Sequence, residues 1–214
     1  PEIETADLAP LVLSLARGGT ADPASLPWLD PPPAASVAAA RARLEGLGAL
    51  DPAGRITARG EALAALPLDP AQAAMVLFGA EHGAAGQAAR LALLLQERGL
   101  GGRGEDLAGR LQRWGADRSP RAEASRKLAG RWANLASQRL APLPTGEGLG
   151  VGEGTSANAD HPHPNPPPQG GGSQVPPGLL LAAGLPDNVA RRRDPSGEHW
   201  LSAGGRGFVL DPAS

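Results

Sequence analysis

The residues of this chain that could do chemistry are mostly cations. Arg55 and Arg59 flank a compact turn, Arg121, Lys127 and Arg131 recur along one stretch, and Arg191, Arg192, Arg193 and Arg206 fall in a segment rich in strand formers. Cations spread along a surface neutralise phosphates, a contact that positions a nucleic acid without reading its bases. Stacking on bases requires aromatic faces, and no platform for it is expected beyond Trp200 and Phe208. Each basic side chain has an ordinary alternative, the solvation of a surface.

Other candidates carry less. Asp69, Glu81 and His82 could be pictured as acid and base, but Asp69 is placed to cap a helix and Glu81-His82 to end one. No nucleophile is paired with a base, so no catalytic residue is assigned. His161 and His163 are two apart in a proline-rich stretch, and with no cysteine in the chain they lack the further ligands a metal requires. The run Gly146–Gly154 lacks the Gly-Lys-Ser/Thr ending, preceding strand and following helix that make a phosphate loop. No cofactor-binding or metal-binding residue is expected.

Charge is more telling by region than in total. Over 214 residues the net charge is −2, which argues against a globally basic nucleic-acid binder. Residues 1–70 hold five basic and nine acidic side chains, whereas residues 121–139 hold Arg121, Arg126, Lys127, Arg131 and Arg139 against Glu123 alone. Any phosphate-facing surface is therefore local. Arginine predominates so far over lysine, of which Lys127 is the single example, that base composition of the gene explains it better than ligand choice. No apolar run approaches the length of a membrane span and no leader pattern opens the chain, so a soluble cytoplasmic protein is expected. The start at Pro1 rather than Met leads us to expect a piece of a longer polypeptide.

The elements that must position these groups read as follows. Leu8, Leu11, Val12 and Leu15 give a helix over 7–17, capped by Asp7 and ended by Gly18-Gly19. After Trp28 and Pro31-Pro32-Pro33, a second helix runs from Pro33 or Ala34 to about Leu47, with Val37, Ala40, Leu44 and Leu47 on one face. Short segments on either side of Asp51-Pro52-Ala53-Gly54 suggest a β-hairpin. Two helices and a small hairpin make a winged helix over 1–60.

A helical bundle is expected over 61–141. Thr57 caps a short helix with Leu63 and Leu66, and Asp69-Pro70 starts the next, with Gln72 placed to complete a capping box and Ala74, Met75 and Phe78 inward. Residues 84–98 place Ala88, Leu91, Ala92 and Leu95 inside. Leu107, Leu111 and Trp114 mark a shorter helix, and Ser119-Pro120 opens a longer one with Leu128, Trp132 and Leu135 inward. Residues 142–177 contain nine prolines and eight glycines and too little apolar surface to offset the entropy of ordering, so a disordered insert is expected there. A short helix at Leu179–Leu181 and a β-meander with a turn at Asp194–Gly197 complete a partial small β domain over 178–214. The fold class is thus mainly α, with a small β segment at the end.

In this order, several strings resemble a known family. Asp7-Leu-Ala-Pro-Leu-Val-Leu, Leu29-Asp-Pro-Pro-Pro-Ala34, Leu47-Gly-Ala-Leu-Asp51, Gly54-Arg-Ile-Thr57 and Leu66-Pro-Leu-Asp-Pro70 are similar to the region following the second motor domain of HrpB-type DEAH-box helicases. Leu185-Pro-Asp-Asn-Val-Ala-Arg-Arg192 and Gly204-Gly-Arg-Gly207 resemble the start of that family's C-terminal, OB-like β domain. The resemblance implies RecA-like motor domains upstream in the same polypeptide, with ATP and Mg bound there, and a "ratchet" bundle over 61–141 forming one wall of a channel for single-stranded RNA or DNA. This chain contains no Gly-Lys-Thr phosphate loop and no Asp-Glu-Ala-His. It should be inactive as an ATPase on its own.

Two other readings stand beside this one. A winged-helix transcription regulator would need a basic recognition helix, and residues 34–48 offer only Arg41 and Arg43 against Glu45. A protein-interaction scaffold that never touches nucleic acid would tolerate charge reversal at Arg121, Lys127 and Arg131.

Overall fold

The computed structural model describes residues 7–104, 106–140 and 175–209. Eight α-helices and a three-stranded antiparallel sheet make up this part, so the chain is mainly α with its β structure at the C-terminal end. Most of residues 142–177, with Gly146–Gly154, His161 and His163, lies outside the described residues.

Helix α1 (Ala9–Arg17) begins where the Asp7 carboxylate accepts from the Ala9 N–H at 3.0 Å. Helix α2 (Ala34–Gly46) starts after the three prolines and turns at Gly48, whose φ of +70° suits a residue without Cβ. The expected hairpin is reduced to a single antiparallel bridge between Leu50 and Ile56. Its turn is stabilised by Asp51, whose side chain accepts from the N–H groups of Ala53 and Arg55, each at 2.9 Å. The end of α2 at Gly46 and the start of the next helix at Thr57 leave flanking segments too short to form a ladder.

Helix α3 (Ala58–Ala64) is capped by Thr57, which accepts from the Gly60 N–H at 2.9 Å and donates to the Gly48 carbonyl at 2.6 Å. One hydroxyl therefore joins a helix start to the end of α2. Asp69 caps α4 (Pro70–Glu81) by accepting from the Gln72 N–H at 3.0 Å. The expected reciprocal bond from the Gln72 side chain is replaced by a contact with Gln96, because the two amides face each other across the α4–α5 pair.

Helix α4 occupies the centre. It packs on α1, α3, α5 (Ala85–Gln96), α7 (Pro120–Leu140) and α8 (Pro177–Gly184). Ala73, Ala74, Met75, Val76, Leu77 and Gly79 are all buried, so it is apolar all round rather than along one stripe, as a central helix must be. Close approach follows from small residues: Gly79 faces Ala88, and Ala88, Ala89, Ala92, Ala129 and Ala136 are essentially inaccessible. Leu95, expected inside, is exposed, and Leu94 takes its place beside Leu91. The register of α5 is set by its small-residue contacts with α4 and α7, which rotate Leu95 outward.

Helix α6 (Leu107–Ala116) is capped by Asp106 and buries Trp114, whose indole N–H donates to the Ser125 hydroxyl at 3.0 Å. On α7 the most buried positions are Ala122, Ala129, Trp132, Ala133 and Ala136, with Leu128 and Leu135 at the margin. The described residues begin again at Val175. Val175 is buried and its carbonyl accepts from the Gln87 side chain at 2.7 Å, and Pro177 opens α8. Gly184 at the end of α8 lies against the Ala71 carbonyl of α4, where no Cβ would fit.

The sheet consists of β1 (Ala190–Arg192), β2 (His199–Ser202) and β3 (Gly207–Val209), paired in chain order. One continuous cluster of buried side chains runs from Leu8 through Trp132 to Leu180. The sheet contributes none of its strand residues to it. No helix among the described residues is long and apolar enough to cross a membrane.

Candidate nucleic-acid interface

The predicted cations divide into those the fold has engaged and those it leaves outward. Arg55 donates from Nε to Asp51 at 2.8 Å and remains largely exposed. The Arg55 backbone N–H, more than its guanidinium, holds the Asp51 carboxyl below its ordinary range. Arg59 is committed more deeply: its Nε donates to the Leu47 carbonyl at 3.1 Å and its Nη1 to Glu81 at 2.8 Å. That side chain ties the end of α2 to the end of α4. Arg121 pairs with Glu97, just past the end of α5, at 3.0 Å.

Lys127 and Arg131 differ. Both are exposed, and no ion pair joins either to a carboxylate among the described residues. They lie four residues apart on α7, hence on one face, and Asn134 and Gln138 continue the same face, also exposed. At 3.6 residues per turn these four fall within an arc of about 60° and extend over about 16 Å. All four side chains can donate hydrogen bonds. Glu123 is the single acid of α7 and sits in its first turn. Arg126 turns the other way and donates to the Trp114 carbonyl at 2.7 Å, tying α6 to α7. Asn134 and Gln138 escape a reading by charge alone; the 127-131-134-138 spacing is the signal that finds them.

The start of α7 is organised by Asp117, which accepts from the Ser119 N–H at 2.8 Å, and that bond holds its carboxyl below the ordinary range. Arg118 lies between them, exposed at the same end.

In the β segment, Arg191, Arg192, Arg193 and Arg206 are all exposed. The register places Arg192 opposite Trp200 and Trp200 opposite Phe208. These cations stand at the far end of the chain from Arg55 and Arg59, on a separate element from Lys127 and Arg131. The structure thus does not bring the nine candidates into one cluster; it presents a stripe on α7 and a patch on the sheet.

The acid and histidine candidates are likewise engaged locally. Asp69 caps α4, Glu81 pairs with Arg59, and His82 Nδ1 contacts the Phe78 carbonyl at 2.8 Å with the two rings 4.1 Å apart. Among the described residues no group of three or more His, Asp or Glu side chains is placed to hold a metal ion.

The chain is similar to known proteins in part of its sequence and in its fold. Residues 40–68 match the family described as helicase associated domain (HA2), winged-helix, which spans the end of α2, the Asp51 turn and α3. Over 97 residues the chain is 41% identical to ATP-dependent RNA helicase HrpB of Escherichia coli, covering 45% of this chain and 12% of that protein. It is also 39% identical over 79 residues to probable ATP-dependent RNA helicase DHX34 of Mus musculus, covering 37% of this chain and 7% of that one. The crystal structure of E. coli DExH-box NTPase HrpB superposes with a TM-score of 0.66 at 29% identity, covering 99% of this chain and 21% of the other. The chain therefore spans a small part of the length of the proteins it matches. In sequence over 97 residues and in fold over nearly its whole length, the chain matches the helicase-associated C-terminal region of the HrpB-type DEAH-box helicases.

Proposed function

We propose that this chain is the non-catalytic accessory region of an ATP-dependent helicase and that α7 lines the path of the single strand. The outward stripe Lys127–Arg131–Asn134–Gln138 carries the reading. It offers two cations and two amides on one straight rail, opposite a face buried against α4 and α5. Such a rail suits a sugar-phosphate backbone, whose contacts fix register without selecting sequence. The small, close-packed core behind it supports a rigid wall. RecA-like motor domains, with ATP and Mg, would supply the hydrolysis, and this region would guide the strand as they open and close. The division into a winged helix over 1–60, a ratchet bundle over 61–141 and the start of a β domain from about 178 belongs to the same proposal, as does a cytoplasmic location.

The scaffold alternative predicts a different response to charge. Reversing Lys127 and Arg131 to Glu in a helicase carrying this region should abolish strand separation and leave ATP hydrolysis in place. Unchanged unwinding would overturn the proposal and favour a surface that binds only protein. The regulator alternative is disfavoured by α2, where Arg41 reaches back to the Ala21 carbonyl and Asp22, and Arg43 pairs with Asp7. The basic groups of that helix are thus engaged within the fold.

A further inference from the structure

The loop joining α1 to α2 forms, with α2, an apolar groove that shares no residue with the stripe on α7 or with the sheet. The groove holds about 440 Å³ and is lined by Leu26, Pro27, Trp28, Pro32 and Val37, with Asp22 and Arg41 as its charged members. Its walls are fixed from behind. The Asp22 side chain accepts from the Ala24 N–H at 3.1 Å, and the Ser25 hydroxyl donates to the Asp22 carbonyl at 2.7 Å. The Trp28 indole N–H donates to the Pro23 carbonyl at 2.7 Å, so the ring is held and offers the groove its apolar surface. Pro31-Pro32-Pro33 keeps the chain extended up to α2, with Pro33 at φ −58° and ψ +130°. A groove ordered in this way binds without a large loss of its own freedom.

Arg41 gives the groove its polar character. Its Nη2 donates to the Ala21 carbonyl and lies 3.9 Å from Asp22 Oδ1, so its charge is balanced within the loop. Its Nε–H is different. That atom is buried, and among the described residues it is the single buried side-chain N or O without a hydrogen-bond partner. A donor left in this state is destabilising, and an acceptor brought by a ligand explains why it is carried. The side chain as a whole is 32% exposed, so a turn of its outer torsions presents the Nε–H to the groove it already lines.

We infer that this groove docks a proline-rich segment of a partner protein, held in extended polyproline form against Trp28, with Arg41 Nε–H donating to one of its carbonyls. The occupant must cover an indole and prolines with apolar atoms, bring no net charge, and offer a free acceptor. A polyproline II segment meets all three conditions: its side chains are apolar and uncharged, its carbonyls have no internal partners, and its shape exists before binding. A helix keeps its carbonyls for its own ladder. An acidic peptide would be repelled by Asp22, which already balances Arg41. Leu29, next to Trp28 in the chain, is 98% exposed and extends the apolar surface beyond what a small molecule would cover. This surface serves partner recruitment and is independent of the path assigned to the strand along α7.

The test measures anisotropy of two labelled peptides with the whole 214-residue chain: an oligoproline of about eight residues, which takes the polyproline form by itself, and a flexible Gly-Ser peptide of the same length. The oligoproline should bind saturably and the flexible peptide should not. Trp28→Ala should weaken the oligoproline about tenfold, as expected for loss of an aromatic anchor. Arg41→Lys keeps the charge beside Asp22 but lacks the Nε–H, and should weaken it several-fold. Ala38 is exposed on α2 and lines the groove, so Ala38→Gln should block it and abolish binding while leaving the thermal midpoint unchanged. That variant separates loss of the groove from loss of the fold. Absence of saturable oligoproline binding, equal binding of the flexible peptide, or wild-type binding by Ala38→Gln overturns the proposal. Self-association of the chain that Ala38→Gln abolishes would assign the groove to a second copy and overturn it equally.

Discussion

Replacing glycine by alanine inside a helix normally stabilises it, by about 0.8–1.0 kcal/mol, because alanine loses less backbone freedom on folding. Two glycines of this bundle should respond with opposite sign. Gly130 lies on the exposed side of α7 and a Cβ there meets nothing within 4 Å. Gly79 faces α5. A Cβ there would overlap the Ala88 methyl and come within 3.1 Å of the Ala84 carbonyl oxygen, and that turn is already drawn tight by the Ala84 N–H donating to Gly79 at 2.6 Å. Neither neighbour is the end of a flexible chain, so α4 and α5 must separate. Overpacking of this kind costs about 1–3 kcal/mol, and here the upper part of that range applies because backbone must move.

Set against the propensity gain, Gly79→Ala should destabilise by about 1–2 kcal/mol and Gly130→Ala should stabilise by nearly 1. Urea unfolding followed by far-UV circular dichroism reads both. With a slope of about 2 kcal/mol/M, Gly130→Ala should raise the midpoint by about 0.4 M and Gly79→Ala should lower it by about 0.5–1 M. If Gly79→Ala raised the midpoint as Gly130→Ala does, the close approach of α4 and α5, and the rigid wall behind α7, would be refuted.

Two further outcomes follow from the wing and its turns. Arg59→Ala should cost about 1 kcal/mol, since a half-exposed guanidinium bonding a carbonyl and a carboxylate is lost together with the tie between α2 and α4, and Arg59→Lys should restore only part; a urea midpoint unchanged in Arg59→Ala would contradict the tie. Asp51, Asp117 and Asp194 are each held below the ordinary carboxylate value of 3.8, by the Arg55 N–H, the Ser119 N–H and the Ser196 hydroxyl respectively. The unfolded chain then takes up these protons at a higher pH than the folded one, so their stabilising effect is complete above about pH 5 and declines as pH falls through 4 and below. Urea midpoints at pH 6 and pH 3 should differ in that direction, and Asp51→Asn should shrink the difference.

Local signals served the helical part well because they act over a few residues. Asp69-Pro70, Thr57 and Ser119-Pro120 carry the chemistry of helix starts in their own side chains, and each stands at a helix start. What depends on a partner was harder to see. Leu94 and Leu95 are alike in sequence, and only the small-residue contacts of α5 decide which one faces inward. Gln72 has the right spacing for a capping box but finds Gln96 across the helix pair. The wing turn was legible from Asp51 and Gly54, yet how few residues would pair beyond it was not.

The candidate site divides in the same way. Charge density marks Lys127 and Arg131, but Arg59 and Arg121 look equivalent until Glu81, from α4, and Glu97, just past α5, are brought beside them. On the sheet, Arg192, Trp200 and Phe208 are separated by a turn and a loop. Their alignment appears only once the strand register is known, since a shift of one residue would send Trp200 to the opposite face.

The central claim, that α7 carries a phosphate-contacting rail, is tested most directly by the salt dependence of single-strand affinity. Fluorescence anisotropy of a labelled oligouridylate should be measured across a range of KCl concentrations for the wild-type chain and for the chain with both Lys127→Glu and Arg131→Glu. Each phosphate neutralised contributes about 0.7 to the slope of log affinity against log salt for a single strand. The double variant should bind more weakly, with a slope flatter by about 1.4. An unchanged affinity and slope would contradict the account and remove α7 from the path of the strand.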